Sequence, residues 1–221
     1  LSDRSSYDVH FSDLPTLGIF MARNARYDRQ TALDKAVHLF WKRGYHATSM
    51  KQIEQALDMR PGSIYATFGS KDRLFREALD AYVERGNTQL GGLLADQVSI
   101  VDALQDHLRN IATACHPDSV EPSRSCMLVK TLLEASYTHS DITDQANELL
   151  YGIERSIAEA LTRARDHGEL KSDTDCERLA RLIQAQIMGL RAFAQRETSA
   201  RSVSELADDM AALLEPYRAV H

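Results

Sequence analysis

Ser63, Tyr65, Thr67 and Lys71 place three hydroxyls and one ammonium along positions 63–71. All four side chains donate hydrogen bonds and none is acidic, so together they suit a surface of acceptor oxygens such as phosphates and base edges. Gly62 beside Ser63 is small enough to let the backbone approach such a surface closely. Arg60 precedes them, and its planar fork matches the O6 and N7 acceptors of guanine. It also reads as an exposed arginine with no specific partner. Arg26 sits in a basic lead-in with Arg23 and Arg29, placed to reach phosphates or an adjacent minor groove. Ile64 and Phe68, interleaved with the polar residues, read as core.

Other chemistry is sparse. Cys126 follows Arg124 at the start of an apolar helical pattern. A thiol in such a place reacts with electrophiles or oxidants when its thiolate is favoured, or it serves as a small buried hydrophobe. Cys115, His116 and Cys126 contain no close pair with metal-ligand spacing, so no metal is expected. No Ser/His/Asp or Cys/His grouping and no glycine-rich phosphate loop stands out, so no catalytic residue and no cofactor are expected. An all-α, thiol-dependent enzyme is the alternative class, and a helical adaptor a third.

The elements that must carry these groups are helices. Ser49 and Gln52 have capping-box spacing, with Thr48 and Ser49 both able to cap and both candidates for a DNA-facing role. Met50, Ile53 and Leu57 repeat at helical spacing. Residues 57–60 form a turn, Pro61 is tolerated as a first helical residue, and Gly69 ends a short second helix. Ser70 caps the next, with Asp72 in its first turn. Upstream, Leu33, Ala36, Val37, Phe40 and Trp41 stripe one face of a helix expected at residues 27–43, and Gly44 stops it. A short helix held across another by a turn is the helix-turn-helix arrangement, whose second helix enters the major groove.

Residues 62–75, with the lead-in at 36–49, closely resemble the recognition helix and surroundings of TetR-family transcriptional repressors. The resemblance covers about residues 29–82. Asp58 stands where the family usually has glycine, Glu54 where alanine is frequent, and Arg60 where a small cap is usual. The resemblance implies phosphate contacts for Tyr65 and Lys71, a palindromic double-stranded DNA operator, a homodimer, and a small-molecule effector of unknown identity that releases DNA.

The net charge of −6 is unevenly spread. Residues 22–71 hold nine Lys/Arg against four Asp/Glu, a balance of +5, leaving −9 after Lys71 and −2 before Ala22. Positive charge is thus concentrated on the segment expected to meet phosphate. Three cysteines without repeated spacing argue for a reducing cytoplasm, and no apolar run is long enough to span a bilayer.

The chain reads as all-α in three parts: a disordered or non-native extension at 1–21, a helix-turn-helix head at 22–72, and a helical effector-binding and dimerisation body at 73–221. A fourth helix at 72–87 leads into the body, with a break or kink at 87–96. Further helices are expected at 100–115, 125–138, 141–167, 174–195 and 202–219. Leu149, Ile153, Ile157, Leu182, Gln186, Leu190 and Phe193 lie on two wide apolar helices that the resemblance makes a dimer surface. The reading from pattern alone is that they are intramolecular core. Met127, Lys130, Tyr137, Tyr151, Arg155, Gln184, Met188 and Arg191 are candidate effector contacts, or ordinary packing.

Overall fold

The computed structural model describes residues 16–96, 99–115, 125–135, 138–196 and 198–219, without side chains for 16–28 and 96. They form nine α-helices: α1 (Thr16–Arg43), α2 (Met50–Leu57), α3 (Pro61–Phe68), α4 (Lys71–Asp96), α5 (Ile100–Ala114), α6 (Met127–Ala135), α7 (Ser140–Asp166), α8 (Cys176–Phe193) and α9 (Ala200–Ala212). No strand occurs among the described residues. One isolated bridge, Leu170 to Arg218, ties the loop after α7 to the segment after α9.

Three boundaries differ from the sequence reading by more than three residues. Helix α1 begins at Thr16, eleven residues before the expected start at Tyr27; adding turns to an existing helix needs no new nucleus. Helix α4 runs unbroken through Gly86, Gly91 and Gly92 to Asp96. Each internal glycine costs about 1 kcal/mol relative to alanine, but Leu90 and Leu94 between and beyond them pack into the body core. The last helix stops at Ala212, and a 3₁₀ turn, Glu215–Tyr217, follows. Pro216 lacks the N–H that a continuing α-helix needs. The loop expected at 116–123 lies outside the described residues.

The head has no core of its own. Phe40, Ile53, Ile64, Phe68, Leu74 and Phe75 belong to the same buried cluster as Met127, Leu128, Ile142 and Ala146 from α6 and α7. Phe40 and Phe75 meet edge to face, with ring centroids 4.9 Å apart, and α1 lies along α4. The turn after α1 docks on α6, where the Tyr45 amide donates to Glu134 Oε2 at 3.1 Å. Gly44 has φ +82° there, with the Glu134 carboxylate where a Cβ would sit. Two further clusters stabilise the body. One joins α5, α7 and α8 through Leu104, Leu161 and Ile183. The other joins α5, α8 and α9 through Ile111, Leu190 and Val203.

Candidate functional site

Local chemistry sets the geometry of the α2–α3 unit. Ser49 caps α2 as a full capping box: its hydroxyl accepts from the Gln52 amide, and Gln52 Oε1 accepts from the Ser49 amide at 2.8 Å. The chain then turns sharply at Asp58, with φ 55° and ψ 44°, the only non-glycine with positive φ among the described residues. Arg60 is extended at the N-cap of α3, its side chain makes no cap hydrogen bond, and Pro61 occupies the first turn. Ile64 and Phe68 are each 1% exposed and anchor α3 inward. Gly62, Ser63, Tyr65 and Ala66 are left facing outward, with Thr67 half-buried. Tyr65 is 50% exposed, which is high for an aromatic ring that packing does not require there.

Gly69 closes α3 with φ +81°, and the Ser70 hydroxyl accepts from the Arg73 amide at 3.1 Å to open α4. Lys71 therefore stands in the first turn of α4, beside α3. Its ammonium lies 4.2 Å from the centre of the Tyr45 ring, a cation–π contact that holds the side chain in place. Partial burial lowers its pKa below the ordinary lysine value, against the opposing pull of Asp72. The Tyr45 hydroxyl donates to Asp72. Burial first, then that bond and the Asp72 charge, push the phenol above its ordinary range. The sequence reading gives Tyr45 no role; an aromatic just after a helix-stopping glycine, one helix from a basic residue, was the signal.

Two expected contacts fall away. Thr48 is 0% exposed, and its hydroxyl donates to the Gly44 carbonyl at 2.6 Å, so it has no surface for DNA. Arg29 turns inward, pairing with Glu77 at 2.6 Å and standing 5.0 Å from the Phe68 ring centre. Ser49 and Arg60 remain exposed. Arg26 lies within α1, its side chain outside the described set.

A cavity of about 860 Å³ lies beneath the head, walled by α1 and α4 on one side and α5, α7 and α8 on the other. Its apolar lining includes Val37, Leu90, Ile153, Ile157 and Ile187, and its polar lining includes Asp34, Lys35, Lys42, Tyr82, Arg85, His107, Cys126 and Arg191. Burial holds His107 down at a pKa of about 4, with the Arg191 charge acting in the same direction, so its imidazole is neutral near pH 7. Burial raises the Tyr82 phenol above its ordinary range, as does neighbouring Cys126; Arg191 and the Met127 amide oppose this. The Trp41 indole N–H donates to the Ser125 carbonyl at 2.9 Å, fixing the ring on the cavity wall.

Of the sequence-based effector candidates, Arg191 and the separately considered Cys126 line this cavity. The others do not. Met127 is buried in the head–body core at 1% exposure. Lys130 reaches the Lys42 carbonyl at 3.3 Å, and Gln184 donates to the Leu150 carbonyl at 2.7 Å. Tyr151 is 67% exposed, Arg155 lines a separate polar groove with Arg76 and Gln145, and Met188 lines neither space. Tyr137 lies outside the described residues. The residues missed, Tyr82 and His107, are polar tips on otherwise apolar inner faces of α4 and α5. That interruption of the stripe was the available signal.

The residues expected on a dimer surface divide between core and exposed positions. Ile157 and Leu190 are 1% and 0% exposed inside the body's own clusters. Gln186 is 8% exposed, and Leu149, Ile153 and Phe193 pack partly against those clusters. Only Leu182, 41% exposed, faces outward. It continues along α8 into exposed Ala185, Gly189 and Ala192 at helical spacing; Tyr151 is exposed on α7, whose Leu150 carbonyl accepts from Gln184 of α8. Both helices are apolar on two sides, and pattern alone does not tell which side faces the chain's own core.

With this geometry in view, residues 32–78 match the family of bacterial regulatory proteins named for TetR, and residues 100–210 match the tetracyclin repressor-like C-terminal domain. The chain belongs to the TetR family. It is 29% identical over 182 residues to the HTH-type transcriptional repressor ComR of Escherichia coli (strain K12), covering 82% of this chain and 86% of that protein. It is 27% identical to the HTH-type transcriptional regulator YezE of Bacillus subtilis (strain 168), covering 79% and 90%. Among solved structures, a cysteine mutant of the TetR-family regulator CifR bound to 26-base-pair operator DNA superposes with a TM-score of 0.75 at 28% identity, over 83% of this chain and 95% of that one. A TetR-family regulator from Cytophaga hutchinsonii shares the fold with a TM-score of 0.77 at 18% identity, over 90% and 98%. The TetR-type head and helical body make this protein a DNA-binding transcriptional regulator. No described helix is long and apolar enough to cross a membrane.

Proposed function

We propose that this TetR-family chain is a homodimeric repressor that binds a palindromic operator and leaves it when a small molecule fills the cavity beneath the head. The outward face of α3 carries this reading: Gly62, Ser63 and Tyr65 stand free while Ile64 and Phe68 fix the helix from behind. Tyr65 and Lys71 donate to phosphates, Arg60 and Ser63 reach base edges, and the amides at the start of α3 add anion-directed donors. A second copy, joined through the α7–α8 face with Tyr151 and Leu182, places two α3 helices in successive major grooves about one helical turn, ~34 Å, apart. The operator-bound CifR structure supports duplex DNA as the partner.

The route to release follows from the cavity walls. Helices α1 and α4 carry the head and also form one side of the cavity. A ligand that prefers one spacing of α4 against α5, α7 and α8 shifts the population towards that spacing and changes the distance between the two heads. Site selection with purified protein, followed by salt-dependent binding to the recovered sequence, tests the proposal. Recovery of a two-fold symmetric site bound by a dimer is the expected result. Binding as a monomer, or no preference for any duplex, overturns it.

A thiol-based version has one specific observation in its favour: Cys126 lines the cavity beside Tyr82. On that reading Cys126→Ser retains operator binding but no longer releases DNA when treated with a soft electrophile that releases the unmodified protein.

A further inference from the structure

We infer that the cavity selects a singly charged organic anion, a carboxylate on an apolar body, with its head group at Arg191. The inference rests on reading the cavity as the effector site and adds the chemistry of the ligand. Lys35, Lys42, Arg85 and Arg191 line the space, against Asp34 as the one lining carboxylate. Asp34 is already paired with Arg85. The lining thus holds four basic side chains against one acidic, and no further lining carboxylate is left to receive a cation.

Neutral His107 points the same way. Burial is the first cause of its neutrality, and the one charge that acts on the ring is that of Arg191 rather than an acidic group. The rim lysines are exposed and screened by salt; half-buried Arg191 is screened less. Arg191 keeps an interaction within the chain, but five N–H donors allow it to hold a carboxylate as well. The isoleucine-rich wall receives the apolar body, and about 860 Å³ is in the range of drug-sized ligand sites.

Trp41 is the chain's single tryptophan and lies on the cavity wall, so its fluorescence reports occupancy. The probes are 4-phenylbutyrate, 4-phenylbutanamide and 4-phenylbutylamine, which share a body and differ in charge. They are titrated into the full chain, with calorimetry as a second readout. The acid should bind at least about tenfold more tightly than the amide, as one charge-assisted pair implies, and the amine most weakly. Arg191→Met should erase the acid–amide difference while helix content stays unchanged; Arg191→Lys should preserve it. Equal affinities, a preference for the amine, or no binding by any probe at millimolar concentration overturns the inference. Charge-selective binding without operator release sinks the effector reading and leaves this one standing. Release by all three probes alike does the reverse.

Discussion

Lys71 shows how one side chain is prepared for its task. The Tyr45 ring beneath it and Asp72 beside it hold the ammonium next to α3. Less entropy is then lost when it meets a phosphate than a free lysine would lose. Lys71→Ala is expected to weaken operator binding uniformly across sequences and to reduce the salt slope by about one unit. Tyr65→Phe should weaken binding with no change in salt slope, because only a neutral hydroxyl is lost. Gel-shift titrations at several salt concentrations separate the two. Thr48 should behave in the opposite manner. Its buried hydroxyl satisfies the Gly44 carbonyl, so Thr48→Val should cost about 1–2 kcal/mol of unfolding stability. At temperatures where the protein stays folded, its operator affinity should match the parent's, and a tenfold loss there would restore Thr48 to the DNA surface.

At the scale of elements, α4 is the part whose behaviour local propensity misjudged. Gly91 and Gly92 are exposed in mid-helix, and a Cβ at either meets nothing within 4 Å. Gly91→Ala and Gly92→Ala should each stabilise the fold by about 1 kcal/mol, measurable by denaturant unfolding. A loss of stability would mean that the helix bends there in solution. The two turns at the head divide differently. The capping box at Ser49 is written in adjacent residues and forms as read. The left-handed turn at Asp58 is adopted even though aspartate stands where glycine would be less strained. Packing of Ile53 and Leu57 on one side and Ile64 on the other holds it.

For the whole molecule, stability and assembly depend on surfaces that no single helix defines. The neutral state of His107 gives a pH dependence with a definite sign. Its folded pKa, about 4, lies below the unfolded value, so the unfolded chain binds the proton first. Stability is complete above about pH 6.5 and declines as pH falls towards 4, by at most about 3 kcal/mol from this residue. His107→Gln should flatten that acid limb, and chemical denaturation between those pH values checks it. Assembly is tested at Leu182: Leu182→Glu places a charge on the exposed α8 stripe without entering the core. It should convert the proposed dimer to a monomer in light scattering and abolish tight operator binding while helix content stays constant.

The head was legible in the sequence because its information is local. A capping serine, a turn, Pro61 at a helix start and alternating core and outward residues on a two-turn helix all act over a few bonds, and the structure repeats them. The body's helices were legible as helices for the same reason. Which of their faces meets which was not. Ile157 and Leu190 have the same composition and spacing as residues of an interface, yet they fill the chain's own core. The cavity unites Tyr82, His107, Cys126 and Arg191, which are separated by up to 109 positions. Side-chain pattern decides how a helix is striped; only close packing of several helices at once decides where a gap remains and which polar tips are turned into it.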